Sequence, residues 1–144
     1  MILKPMEQPV LPERISDKPA IGITEGDPAG IGPEIVSKTI ANGEIFEICR
    51  PIVIGEFGTL QREIDRNHLS MKIETVSKIT DQTEFSPGTL SLIDMENLYR
   101  LPEYGKVNRA CGRAAFEFLE KAVELAEEGR VSAITTAPIN KLSI

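Results

Sequence analysis

A stretch rich in glycine and proline, GITEGDPAGIGPEIV at residues 22–36, contains two carboxylates that could do chemistry. Asp27 can hydrogen-bond a ligand hydroxyl or cap neighbouring N–H groups, and Glu34 lies where a carboxylate favours the start of a helix. Three glycines can adopt positive φ and leave the backbone open to close approach: Gly26, Gly30 and Gly32. On residue chemistry alone, a ligand-lining loop and a structural turn remain equally good interpretations.

A second polar stretch, TAPINK at residues 136–141, combines hydrogen-bonding groups with one cation. Thr136 and Asn140 offer hydrogen bonds, and Lys141 can bind a carboxylate or phosphate, or carry a proton if burial lowers its pKa. The alternative is a solvated surface lysine, which is the commoner environment of that residue.

The elements that must position these residues alternate along the chain. Apolar runs predict strands at 20–24, 51–56, 89–95 and 131–137, and alternating polarity predicts a half-buried strand at 71–76. Apolar periodicity predicts helices at 33–42, 57–68 and about 108–128. This order predicts an α/β fold with a parallel-rich sheet flanked by helices. Ligands bind at the carboxyl ends of such strands, so the two polar stretches are expected at one edge.

The first helix is predicted to turn Ile35, Val36 and Ile40 inward and to end at Gly43. Cys111 lies on the apolar side of the longest helix, which predicts a buried thiol. Neither cysteine is part of a metal-binding pattern, and the single histidine, His68, cannot build a metal site alone.

Composition limits the class of protein. The 144 residues suggest one domain, and a net charge of −6 argues against nucleic-acid binding. No apolar window is long enough for a membrane span. Residues 1–19 lack an apolar signal core and are interpreted as a flexible leader, which favours a cytoplasmic protein.

The stretch at residues 22–36 matches neither of two common nucleotide-binding patterns. The dinucleotide pattern GxGxxG would need a third glycine where Ile35 stands. No Lys-Ser or Lys-Thr pair follows Gly32, so the phosphate loop GxxxxGK[ST] is also absent.

Three segments, residues 22–35, 112–126 and 133–141, resemble the 4-hydroxythreonine-4-phosphate dehydrogenase family of vitamin B6 biosynthesis. The resemblance covers residues 20–144. It implies a fold similar to isocitrate and isopropylmalate dehydrogenases. Close paralogues act on phosphorylated threonate or erythronate.

The resemblance implies a homodimeric enzyme that uses NAD or NADP and a divalent metal (Zn, Mg or Co). The enzyme would oxidise 4-phosphooxy-L-threonine to a β-keto acid that loses carbon dioxide. Family members are longer, and their Gly-His-Thr-Glu segment and metal-binding histidines have no counterpart in this chain. Residues 20–144 are therefore expected to be an incomplete, N-terminal portion of a dehydrogenase, inactive alone and without metal ligands.

Two alternatives remain open: a related enzyme that transfers acyl or phosphate groups, and a non-catalytic remnant that binds a ligand or partner. The GDPAGIGPE run favours the dehydrogenases.

The resemblance also implies roles for individual residues. Positions that match the early loop are expected on the cofactor side of the cleft: Gly26, Asp27, Gly30, Gly32 and Glu34. Positions that match the second motif are expected to bind substrate: Thr136, Asn140 and Lys141. Lys141 is in addition the candidate catalytic residue. Glu25 receives no role, since the family often carries proline or methionine there.

Overall fold

Five strands form one sheet, in a computed structural model that describes residues 18–80 and 83–144. The strands are β1 (Ala20–Thr24), β2 (Arg50–Gly55), β3 (Lys72–Thr75), β4 (Thr89–Asp94) and β5 (Ala133–Thr136). They pair in parallel in the order β3-β4-β2-β1-β5. The predicted α/β fold with a parallel sheet is confirmed. Of the predicted leader, residues 1–17 lie outside the described residues.

Four helices connect these strands: α1 (Gly32–Asn42), α2 (Ile45–Ile48), α3 (Phe57–Arg66) and α4 (Arg109–Glu127). The short α2 was not predicted, because four residues are too few to show a helical period. Gly43 ends α1 in the left-handed conformation, with φ of 83°, as expected of a helix C-cap. Asn108 caps α4 by accepting the Ala110 N–H at 2.9 Å.

Alternate residues of the central strand β2 face two separate cores, as a strand buried on both faces requires. Ile52 and Ile54 pack with Phe118 and other apolar residues of α4 on one face. Val53 packs on the opposite face with Leu60 of α3 and with apolar residues of α1. The helices therefore cover both faces of the sheet, and the loops at its carboxyl edge extend from a rigid base.

Two predictions about individual side chains have different outcomes. Cys111 is fully buried, as predicted. Ile35 does not face the core with Val36 and Ile40, because 43% of its surface is exposed. In α1 the buried stripe runs through Val36, Ser37 and Ile40, and Ile35 falls to one side of it, along a groove of about 210 Å³ beside β5.

Exposed apolar side chains lead us to expect that a polypeptide of residues 1–144 associates with itself. Phe116, Leu142 and Ile144 are 48%, 81% and 65% exposed, and β5 lies at one end of the sheet. Contiguous apolar surface and an open strand edge both promote association. Sedimentation velocity should show dimers or larger species that grow with concentration. A monomer across the accessible concentration range would contradict this expectation.

None of the described helices is long and apolar enough to cross a membrane.

Candidate functional site

The two polar stretches meet at the carboxyl edge of the sheet, because β1 and β5 are parallel neighbours. The Ala137 N–H donates to the Thr24 carbonyl at 3.0 Å, which extends the strand pairing by one step. The Asp27 N–H then donates to the Pro138 carbonyl, also at 3.0 Å. The predicted common edge is confirmed, and the loop at residues 25–32 (hereafter the glycine loop) lies directly against the segment at residues 137–141 (the exit segment).

The chain's own backbone occupies the space that the glycines leave open. Gly26 has φ of 77°, and a Cβ placed there would collide with the Pro138 carbonyl oxygen and lie 2.8 Å from the Ala137 carbonyl carbon. A Cβ on Gly32 would collide with the Glu25 carbonyl oxygen. Of the three predicted positive-φ glycines, only Gly26 has that conformation. Close packing within the loop and onto the exit segment thus explains why Gly26 and Gly32 are glycine.

Asp27 uses its carboxylate inside the loop. Its side chain is 4% exposed, and Oδ1 accepts the Ala29 N–H at 2.9 Å. The Asp27 carbonyl accepts the Gly30 N–H at the same distance, which makes a compact turn. Of the two roles that the sequence left open, this geometry supports the capping of backbone N–H groups.

Glu34 ties α1 to α3. Its Oε1 lies 2.6 Å from the Lys38 ammonium, and its Oε2 lies 3.0 Å from the Arg66 guanidinium. The hydrogen bond from Lys38 lowers the pKa of this carboxyl. The predicted cofactor contact of Glu34 stays a prediction, and its carboxylate already has two partners within the protein.

The end of β5 and the exit segment present polar groups to solvent. Thr136, the last residue of β5, is exposed, and Asn140 of the exit segment is half-buried with Oδ1 accepting the Leu142 N–H at 3.0 Å. Lys141 is exposed, and its ammonium makes no hydrogen bond or ion pair within residues 18–80 and 83–144. Lys141 therefore offers this edge a cation that is available to an anionic ligand.

A buried carboxyl at this edge, Glu25, was missed by the sequence reasoning. Glu25 is fully buried, and its Oε2 accepts the Glu56 N–H at 2.6 Å while its Oε1 hydrogen-bonds the Thr59 hydroxyl. Burial raises its pKa from 4.5 to about 8. The only signal in the sequence was a charged residue directly after an apolar strand. The partner residues lie more than thirty positions away, and no local pattern connects them.

A neighbouring carboxyl, that of Glu56, is also shifted by its surroundings. Glu56 is 7% exposed and accepts the Asn97 N–H at 2.5 Å through Oε1. Burial raises its pKa above the ordinary value. Two carboxyls for which ionisation is disfavoured, Glu25 from the glycine loop and Glu56 from the cap of α3, thus lie at the start of α3.

The segment at residues 102–105 holds the glycine loop from a third side. The Gly105 N–H donates to the Ala29 carbonyl at 2.7 Å. Arg62 of α3 donates to the Pro102 carbonyl at 2.6 Å, and its guanidinium lies 4.0 Å from the centre of the Tyr104 ring. These contacts fix the loop between β5, α3 and this segment.

The chemistry available at this edge is the binding of an anion. Within residues 18–80 and 83–144, no group of three or more His, Cys, Asp or Glu side chains forms a set of metal ligands. The Cys111 thiol is a poor nucleophile, because burial raises its pKa to about 11. What remains is the exposed cation of Lys141, which follows Asn140 in the exit segment.

Two sets of known proteins resemble the chain over most of its length. A protein of Clostridium botulinum (strain Hall), provisionally named D-threonate 4-phosphate dehydrogenase, is 43% identical over 131 residues, which is 90% of this chain and 39% of that protein. A protein of the same name from Fusobacterium nucleatum is 45% identical over 125 residues, 86% of this chain and 37% of the relative. The chain thus spans well under half the length of these relatives.

Solved structures agree with this similarity. A 4-hydroxythreonine-4-phosphate dehydrogenase from Burkholderia phymatum superposes with a TM-score of 0.84 at 36% identity, covering 89% of this chain and 38% of that one. The enzyme of the same name from Klebsiella pneumoniae gives a TM-score of 0.78 at 36% identity, over 88% and 39%.

The profile of one protein family matches residues 47–144, which include β2 and the exit segment but not the glycine loop. The family is described as pyridoxal phosphate biosynthetic protein PdxA. The profile matches more than half of the chain, and the sheet superposes on structures of 4-hydroxythreonine-4-phosphate dehydrogenases. The chain therefore belongs to the PdxA family.

Proposed function

We propose that residues 20–144 form the N-terminal portion of a dehydrogenase that oxidises a 4-phosphorylated hydroxy acid. The observation that carries this proposal is the contact between the glycine loop and the exit segment, Asp27 N–H to Pro138 carbonyl at 3.0 Å. This contact brings Lys141 to the edge where parallel sheets bind ligands. Membership in a family of dehydrogenases supplies the class of reaction.

Two substrates fit this class. Relatives at 43% and 45% identity carry the name of D-threonate 4-phosphate dehydrogenase, whereas the solved structures at 36% identity are named for 4-hydroxythreonine 4-phosphate. Both substrates have a carboxylate at one end, a phosphate at the other and a secondary alcohol between them. The relatives with higher identity favour D-threonate 4-phosphate. The oxidation of 4-phosphooxy-L-threonine in vitamin B6 biosynthesis is the second candidate.

In the proposed reaction the alcohol carbon loses a hydride to NAD or NADP, its hydroxyl loses a proton, and the β-keto acid that forms releases carbon dioxide. Lys141 would pair with the substrate's phosphate or carboxylate, and Thr136 and Asn140 would hydrogen-bond its oxygens. A fixed cation also stabilises negative charge that develops on the substrate during oxidation. These are binding and positioning roles, which convert substrate affinity into correct orientation.

The described residues do not fit either a nicotinamide cofactor or a divalent metal, the two groups that the family implies. The Cβ positions of Gly26 and Gly32 are filled by the chain's own backbone rather than forming an open cradle for a nicotinamide cofactor. No set of metal ligands is found within residues 18–80 and 83–144. We therefore assign the sites of both groups to the part of the relatives' length that this chain does not span. The same part would complete a homodimer.

Steady-state kinetics of the full-length protein tests the proposal. NADH or NADPH formation is followed with D-threonate 4-phosphate and with 4-phosphooxy-L-threonine, and D-threonate without phosphate serves as the matched control. We expect turnover of a phosphorylated substrate and little turnover of the control. Equal turnover of the control would contradict recognition of the phosphate, and no turnover of either phosphorylated acid would contradict the function.

A polypeptide of residues 1–144 is expected to bind no divalent metal tightly. The reason is chemical, since Zn²⁺ and Mg²⁺ sites need several clustered nitrogen, sulfur or oxygen ligands. Isothermal titration calorimetry with each metal measures this directly. One-to-one binding at micromolar affinity, reversed by a chelator, would place a metal site within these residues.

A further inference from the structure

Glu25 is a buried acid that the proposed function does not use. Its side chain is fully buried where β1 leads into the glycine loop. Both of its oxygens are hydrogen-bonded to the start of α3: Oε2 accepts the Glu56 N–H at 2.6 Å, and Oε1 contacts the Thr59 hydroxyl. Thr59 is itself 1% exposed, so this contact is shielded from water.

The number of protons available for the hydrogen bonds among Glu25, Thr59 and the Glu56 backbone indicates whether Glu25 is ionised. The Thr59 hydroxyl lies within reach of two acceptors, Glu25 Oε1 and the Glu56 carbonyl at 3.1 Å, yet it has one proton to donate. With Glu25 ionised, one of these contacts would lack a proton. With Glu25 protonated at Oε1, the acid donates to Thr59, and Thr59 donates to the Glu56 carbonyl. The Glu56 N–H then donates back to Oε2, and the ring of hydrogen bonds is closed.

The charged and titratable groups around Glu25 do not compensate an anion there. The groups that act on it or share its surroundings are Glu56 at the cap of α3, Arg62 from the middle of α3, Asp27 from its own loop and Cys111 from α4. Arg62 is the only cation of this set, and its guanidinium donates to the Pro102 carbonyl and stacks on Tyr104. A buried carboxylate without an ion pair is strongly disfavoured, whereas a neutral, fully hydrogen-bonded acid is tolerated.

We propose that Glu25 is a neutral carboxylic acid in the folded protein and acts as a positioning residue that joins the glycine loop to the first turn of α3. The ring fixes the loop from inside, next to Gly26 and Asp27. This inference is independent of the proposed function, because it concerns a proton held within the fold rather than contact with a substrate.

The proposal gives stability a defined pH dependence. The folded state holds the proton up to a pKa of about 8, while the unfolded chain releases it near the ordinary value of 4.5. The stabilisation is therefore fully present below the unfolded pKa and is lost progressively as the pH rises to about 8. Above that pH the acid ionises in the folded protein, the ring opens, and the glycine loop loses its inner support.

Glu25→Gln in the full-length protein is the discriminating variant. The glutamine amide keeps both interactions of a neutral acid, because its NH₂ donates to Thr59 and its oxygen accepts the Glu56 N–H. The Tm of the variant minus that of the wild type should rise between pH of about 5 and about 8 and then stay constant. Glu120→Gln, at an exposed position of α4, is the matched control and should give a flat difference.

An ionised Glu25 would give the opposite result. Its pKa in the folded protein would then lie at or below the ordinary value, and the Tm of Glu25→Gln minus that of the wild type would stay flat or fall as the pH rises. Either of these results would overturn the proposal.

Hydrogen exchange of the wild type provides a second test that does not depend on the folding of a variant. After correction for base catalysis, the protection of the Glu56 amide should fall by about tenfold between pH of about 6 and about 7. Constant protection over this range would contradict the release of a proton from Glu25.

Discussion

Replacement of Lys141 by alanine in the full-length enzyme is expected to lower kcat/KM by at least about 100-fold, roughly 2.7 kcal/mol of transition-state stabilisation. Lys141 follows β5 at the carboxyl edge of the sheet, beside the glycine loop, and its ammonium is exposed. The proposed substrates carry a carboxylate and a phosphate. The loss of a cation that pairs with one of these groups removes both binding energy and orientation.

Lys72→Ala is the matched control for this experiment. Lys72 is also an exposed lysine, but it begins β3 and so lies at the opposite, amino edge of the sheet. Its replacement should leave kcat/KM unchanged, and neither substitution should alter the Tm, since exposed lysines contribute little to folding. If Lys141→Ala retains kcat/KM within about threefold of the wild type at equal Tm, Lys141 does not belong to the site.

Gly26→Ala is expected to destabilise the fold by about 3 kcal/mol or more. Two costs add at this position. Gly26 has φ of 77°, which an alanine adopts with strain, and the new methyl group would collide with the backbone of the exit segment. The collision involves the Pro138 carbonyl, so it also disrupts the hydrogen bond that this oxygen accepts from the Asp27 N–H. Urea denaturation of wild type and variant measures the difference.

Gly129→Ala separates these two costs. Gly129 follows α4 with φ of 70°, and a Cβ there meets no atom within 4 Å. Its replacement should therefore cost only the strain of the left-handed conformation, about 1 kcal/mol. Equal destabilisation by Gly26→Ala and Gly129→Ala would show that the close contact between the glycine loop and the exit segment adds nothing to the cost of the Gly26 substitution.

Much of the fold was predictable because it depends on local patterns. Apolar runs marked four strands, alternating polarity marked β3, and helical periodicity marked the three longer helices. The failures came from cases where the local pattern is too short or too ambiguous. The helix α2 has four residues, and Ile35 lies just outside the stripe of α1 that tertiary packing selects.

The site was predictable only in outline. The alternation of strands and helices was enough to place the glycine loop and Lys141 at one edge. It could not show which atoms approach Gly26 and Gly32, since Pro138 is distant in sequence and only the pairing of β1 with β5 brings it there. For the same reason the hydrogen bonds of Glu25 could not be predicted, because its partner Thr59 belongs to a different β-α unit.

The glycine loop is immobilised by the exit segment, by α3 and by residues 102–105, through Pro138, Arg62 and Gly105. A loop held by contacts on three sides has little freedom to adapt its conformation to a ligand. In the proposed dehydrogenase, closure around a substrate would have to come from other parts of the protein moving toward this edge. The edge would then act as a preorganised template, whose ordering cost is met during folding rather than on each catalytic cycle.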